Sequence, residues 1–202
     1  MTDLKNGKLE LLNDENSVLV LVDYQPSMFK GISSGDKPRI KNAAICAARA
    51  ASILGIPVVL SLINPKFNGD FIPEITGIFP NQEVFARKVP SFDAFEDEKT
   101  WNAVKKPGCK KIVVSGLWTS MCFAYTALHV LKEGYDVYGL MDAAGDSTPE
   151  AHYYGIKRML QVGVIPITVE SLVSEWMHDW ENPKAGELVK EVYSKYGAMI
   201  GF

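Results

Sequence analysis

The run Val18-Leu19-Val20-Leu21-Val22 is apolar at every position. A strand buried on both faces reads this way, as the inner strands of a parallel sheet do. Pro57–Ile63 and Ile112–Val114 have the same character. Glu83–Lys88, Asp136–Met141 and Val164–Val169 supply three further strands. Helical segments lie between them. Arg39–Leu54 is rich in alanine and is followed by Gly55, a residue suited to closing a helix. Asp93–Val104 has Asp93 or Ser91 to cap it, and Pro149–Val162 has Ser147 or Thr148. A helix opening at Thr119 or Ser120 runs to Gly134. Strands alternating with helices predict an α/β fold: a three-layer αβα sandwich around a six-stranded, parallel, doubly wound sheet with right-handed crossovers.

The remaining segments are read as connections. Residues 1–17 form an arm. Asn64–Phe79 holds Pro65, Gly69, Pro73 and Gly77 and reads as an irregular loop. Residues 172–202 read as a helical tail broken at Asn182-Pro183. In it Trp176 and Trp180 stand one helical turn apart, a candidate contact surface for another subunit. There is no repeat or linker, so residues 1–202 are read as one domain.

Composition narrows the function. A net charge of -3 with no basic stripe argues against nucleic acid. Cys46, Cys109 and Cys122 are odd in number and widely spaced, which fits neither a disulfide framework nor a zinc pattern. A reducing, cytoplasmic setting follows. The polar amino terminus does not resemble a targeting peptide, and the long apolar region Ala43–Ile63 contains Arg49, Gly55 and Pro57. No membrane association is therefore expected.

Three residues stand just beyond predicted strand ends: Asp23, Lys88 and Cys122. In a doubly wound sheet those ends converge on one crevice. Cys122 falls in the first turn of its helix, where unpaired N–H groups favour a thiolate. A carboxylate can take a thiol proton and return it to a leaving amine, and an ammonium offsets the charge on either. Together they suit acyl transfer through a thioester. No G-x-S-x-G elbow or phosphate-binding glycine motif is present.

LVLVDYQ around Asp23, ARKVPSFDAF around Lys88 and SGLWTSMCFAYTAL around Cys122 resemble the isochorismatase-like cysteine hydrolases, particularly their YcaC-like branch. The segments GYDVYGLMDAAGD and GVIPITVESLVSEWMHDW continue the likeness. The resemblance implies a catalytic Asp23-Lys88-Cys122 set and a cis peptide at Leu117-Trp118. It also implies an oxyanion hole made by the N–H groups of Trp118 and Cys122. The expected reaction is hydrolysis of a C–N bond in a small linear amide or ureido compound. The other reading is a non-catalytic binding or assembly protein that retains the fold. The stretch Ser61-Leu62-Ile63-Asn64-Pro65 lacks the Asp-x-His metal motif of nicotinamidases, so neither a metal nor another cofactor is expected. Tyr24, Phe29, Phe67 and Trp118 are candidates for the pocket wall, and a homo-oligomer is implied.

Overall fold

A computed structural model describes residues 9–196. Six strands form one sheet: β1 (Ser17–Val22), β2 (Val58–Leu62), β3 (Val84–Ala86), β4 (Lys111–Gly116), β5 (Asp136–Leu140) and β6 (Ile165–Ile167). Their spatial order is β3-β2-β1-β4-β5-β6, and every pairing is parallel. The order reverses between β1 and β4, so the loops leaving these two neighbours diverge to opposite faces and open a crevice at their carboxyl ends.

The longer helices are α1 (Lys37–Leu54), α2 (Glu98–Lys105), α3 (Ala124–Lys132), α4 (Pro149–Val162) and α5 (Val169–Met177). α1 begins where Asp36 Oδ1 accepts the Arg39 N–H at 2.8 Å and ends at Gly55, whose φ is 79°. Its alanines 43, 44, 47, 48, 50 and 51 are all buried, and small side chains let the helix lie close on the sheet. α1 and α5 cover one face with Leu19, Leu21, Leu60 and Val113. The other face packs Val18, Val20, Val22, Val59, Ile112 and Val114 against α3 and its neighbours. Both faces of the central strands are thus dry, which is why β1 has no polar alternation.

Several connections differ from the sequence reading. Asn64–Phe79 is not wholly irregular, because Pro65–Asn68 and Pro73–Thr76 are single helical turns. Asp93 caps a short 3-10 turn, Ala94–Glu96, and a second cap, Asp97, opens α2 by accepting the Thr100 N–H at 3.0 Å. The arm is anchored where it is described: Leu12 is buried, and its N–H donates to Glu175 at 2.8 Å. The first eight residues of the expected arm and the last six of the tail lie outside the described residues. The two tail tryptophans do not share a face. Trp176 is buried and donates to Ser17 Oγ at 2.8 Å, whereas α5 ends at Met177. His178 then turns the chain with φ 70°, and Trp180 lies exposed against Tyr193. Among the described residues no helix is long and apolar enough to cross a membrane.

Candidate active site

Asp23 follows the last residue of β1, and strict alternation would send its side chain to the face of Leu19 and Leu21. Its φ of 61° breaks the alternation. Left-handed backbone is open to Asp more readily than to most residues. The break turns the Asp23 carboxylate toward the opposite face, where Cys122 lies, and sends Tyr24 into the α1 layer. The Asp23 N–H donates to Ser61 O at 2.8 Å, so the turn is pinned to β2.

Cys122 is delivered differently. β4 ends at Gly116, and the Leu117-Trp118 peptide is cis. Residues 119–123 then form a π turn before α3 begins at Ala124. Neither Thr119 nor Ser120 caps this helix. Trp118 holds the cap position and has no side-chain bond there. The turn is held instead from the loop after β5 and from α4. The Ser120 N–H donates to Asp146 Oδ2 at 2.7 Å, and Thr119 Oγ1 lies 2.8 Å from His152 Nδ1. Gly155 lets α4 pack onto this turn, since a Cβ there would stand 2.8 Å from Ser120 Cα. π turns at helices are frequent at functional sites.

Cys122 lies against Asp23 and the backbone of Trp118, and both act on its thiol. Cys122 is 2 % exposed and Asp23 fully buried. Burial, then the charge of Asp23, pushes the Cys122 thiol far above its usual range. The helix-end field expected to favour a thiolate is thus outweighed by burial and by the anion beside it. Burial also raises the Asp23 carboxyl, opposed by Arg87, by Cys122 and by the Ile63 N–H. Arg87 Nη2 contacts both carboxylate oxygens, so Asp23 is held as the partner anion of a buried pair.

The basic residue of this group is Arg87, not Lys88. Lys88 is exposed, its backbone N–H reaches Asp97 Oδ2 at 3.4 Å, and it lines a surface hollow with Val89, Glu96 and Lys99. Phe85 packs in the Cys122 layer, and Arg87, two residues on, falls on the same side. Lys88 has the opposite parity and is exposed. The structure therefore unites Asp23 and Cys122 as expected, and replaces the lysine by its neighbour.

The candidate pocket residues separate. Tyr24 is fully buried. Its hydroxyl donates to Ala143 O at 2.7 Å and lies 2.9 Å from Ser115 Oγ, so it ties β1 to β4 and to the loop after β5. It is a structural residue rather than a pocket wall. Phe67 is 81 % exposed on its short helical turn. Phe29 packs against Tyr24 with ring centroids 6.0 Å apart. Trp118 is half-buried beside Cys122, with its indole N–H donating to Met28 O at 2.9 Å. The indole rests against Gly31, where a Cβ would stand 2.3 Å from it. Gln25, not singled out from sequence, braces the rim: it donates to Ile63 O and Gly69 O and accepts the Ile63 N–H. Among the described residues no group of three or more His, Cys, Asp or Glu side chains is placed to hold a metal ion.

A six-stranded parallel sheet flanked by helices, with a carboxylate and a cysteine at its carboxyl edge, is the architecture expected from the isochorismatase-like sequence motifs. Residues 17–171 match the isochorismatase domain, and the chain belongs to the isochorismatase family. It is 27% identical over 176 residues to the probable hydrolase YcaC of Escherichia coli, covering 87% of this chain and 84% of that one. The crystal structure of E. coli YcaC, an octameric hydrolase of unknown specificity, superposes with a TM-score of 0.86 at 26% identity over 92% of each chain. YcaC from Pseudomonas aeruginosa, crystallised with hexane-2,5-diol and covalent acrylamide, gives the same TM-score at 25% identity, over 92% of this chain and 94% of that one. Isochorismatase domain-containing protein 2 of Xenopus laevis is 29% identical over 179 residues, covering 89% of this chain and 84% of that one.

Proposed function

We propose that this chain is a cysteine hydrolase that cleaves a C–N bond in a small linear amide or ureido compound through a thioester on Cys122. The observation that carries the reading is the buried thiol of Cys122 lying against a carboxylate that is itself paired with a buried arginine. A protonated thiol is a weak nucleophile, and a base in direct contact removes that limit at the moment of attack. In the proposed sequence Asp23 takes the Cys122 proton as sulfur attacks the carbonyl carbon. The N–H groups of Trp118 and Cys122 stabilise the oxyanion. Asp23 then protonates the departing ammonia or amine. Water adds to the thioester with Asp23 as base, and Cys122 recovers its proton. Arg87 keeps Asp23 ionised between these steps. The covalent acrylamide described for P. aeruginosa YcaC fits a site of this kind that admits small neutral amides.

The reading extends to assembly. Because E. coli YcaC is an octamer, we propose that this chain is also a homo-oligomer. Light scattering of the purified protein tests that directly, and a monomer at micromolar concentration would rule it out.

The test of the chemistry is ammonia release from a panel of short amides and ureides by wild type and Cys122→Ala. Release by the wild type alone supports the thioester route. Equal release by both overturns it. A panel that binds without turnover would favour the non-catalytic alternative.

A further inference from the structure

Among the described residues, three buried side-chain atoms have no hydrogen-bond partner: Ser61 Oγ, Arg87 Nε and Arg87 Nη1. They belong to the two residues that hold Asp23 in place: Arg87 contacts its carboxylate through Nη2, and the Ser61 carbonyl accepts its backbone N–H. Ser61 stands in register between Val22 of β1 and Phe85 of β3. Its neighbours Leu60 and Leu62 pack in the α1 layer, so its hydroxyl faces the Cys122 layer. Arg87 lies on that same side, two residues beyond Phe85, and only Nη2 touches Asp23. Buried polar groups are almost always satisfied, and a buried water usually supplies about three bonds to groups left over by the protein.

We propose that Ser61 and Arg87 hold the hydrolytic water of the deacylation step against Asp23. The assignment rests on the thioester reading given above. A water fits the donors on offer: it accepts from the guanidinium, exchanges a bond with the Ser61 hydroxyl and donates to the carboxylate. The charge also fits. Asp23 and Arg87 neutralise each other, so a neutral guest adds no unpaired charge, whereas an anion would. Access matters too. Cys122 is 2 % exposed, and an acyl group on it narrows the approach of bulk water further.

The step balances. The water oxygen bonds to the thioester carbonyl carbon as Asp23 takes one water proton. The tetrahedral adduct expels the sulfur, the C–S bond breaks, and Asp23 returns the proton to the sulfur. The products are the free carboxylic acid and the Cys122 thiol. Ser61 touches the attacking water and not the amide, so its loss should slow the second half-reaction and spare the first.

The experiment uses p-nitrophenyl acetate as acyl donor on the full chain. The p-nitrophenolate burst reports acylation, and intact mass with peptide mapping follows acetyl-Cys122. For Ser61→Ala we expect a burst rate within about threefold of wild type and acetyl-Cys122 that decays about tenfold more slowly, the effect of losing one productive hydrogen bond worth on the order of a factor of ten. Ser61→Thr, which keeps the hydroxyl, should decay within about threefold of wild type. Decay at the wild-type rate in Ser61→Ala, with the burst intact, overturns the water site and leaves the thioester reading standing. Absence of acetyl-Cys122 in the wild type overturns both.

Discussion

Arg87 and Lys88 are adjacent in sequence and opposite in consequence. Arg87 and Asp23 have fully buried side chains, and one guanidinium nitrogen contacts both carboxylate oxygens. Replacing Arg87 by Ala strands a buried carboxylate beside the Cys122 thiol. Breaking a buried pair from one side costs about 3–5 kcal/mol. At roughly 2–4 °C per kcal/mol for a chain of this length, the melting temperature should fall by about 6–20 °C. Lys88→Ala removes an exposed side chain, and a change within about 0.5 kcal/mol, or about 2 °C, is expected. Calorimetry of the two variants beside wild type decides the matter. The same samples report on chemistry: iodoacetamide labelling of Cys122 should change its pH profile in Arg87→Ala and keep it in Lys88→Ala. If Lys88→Ala proves the more damaging on either measure, the assignment of the buried cation is wrong.

Two further outcomes follow from the supports of the π turn. Gly155→Ala places a methyl 2.8 Å from Ser120 Cα and 3.0 Å from its nitrogen, both backbone atoms, so α4 must shift away. A loss of about 1–3 kcal/mol is expected in urea unfolding, with slower alkylation of Cys122; an unchanged midpoint would refute the close packing. Burial lowers the pKa of His152, against the pull of Asp146. The unfolded chain therefore takes up this proton first as pH falls. The stability contributed by neutral His152 is complete above its ordinary value near 6.5 and is lost as pH drops through its lower folded value. His152→Gln should flatten the difference in urea midpoint between pH 7.5 and 5.5 relative to wild type, and an identical slope in both proteins would refute the burial argument.

The fold was legible because its central strands are buried on both faces. Val18–Val22 and Ile112–Val114 have no polar position to confuse the pattern, and each is flanked by turn residues. Gly55 and Thr148 marked helix ends where the structure has them. Asp23 was found because it follows such a strand directly, and Cys122 because it stands in the turn after one. The errors have local causes. β3 is only three residues long, and its extension decides which of two adjacent cations turns inward. The signal was present: Phe85 is the apolar residue of that strand's inner face, and parity carries it to Arg87. The helix position of Cys122 points toward a lowered thiol, and burial with the anion beside it, which no sequence pattern announces, raises it instead. Tyr24 was misplaced because no pattern announces the positive φ of Asp23 that turns it into the α1 layer. The tail was misread because His178, not a glycine, breaks the helix after Trp176.

The choice of arginine beside Asp23 has a consequence for proton traffic. A guanidinium gives up no proton at any pH the fold survives, whereas a buried ammonium can be driven to do so. The group formed by Asp23, Arg87 and Cys122 therefore carries one permanent positive charge and a single transferable proton, resident on sulfur at rest. Every protonation event in such a site must be a relocation of that one proton or an exchange with the bound guest. Its pH dependence is then set by two groups, the carboxyl and the thiol, with no separate limb from the cation.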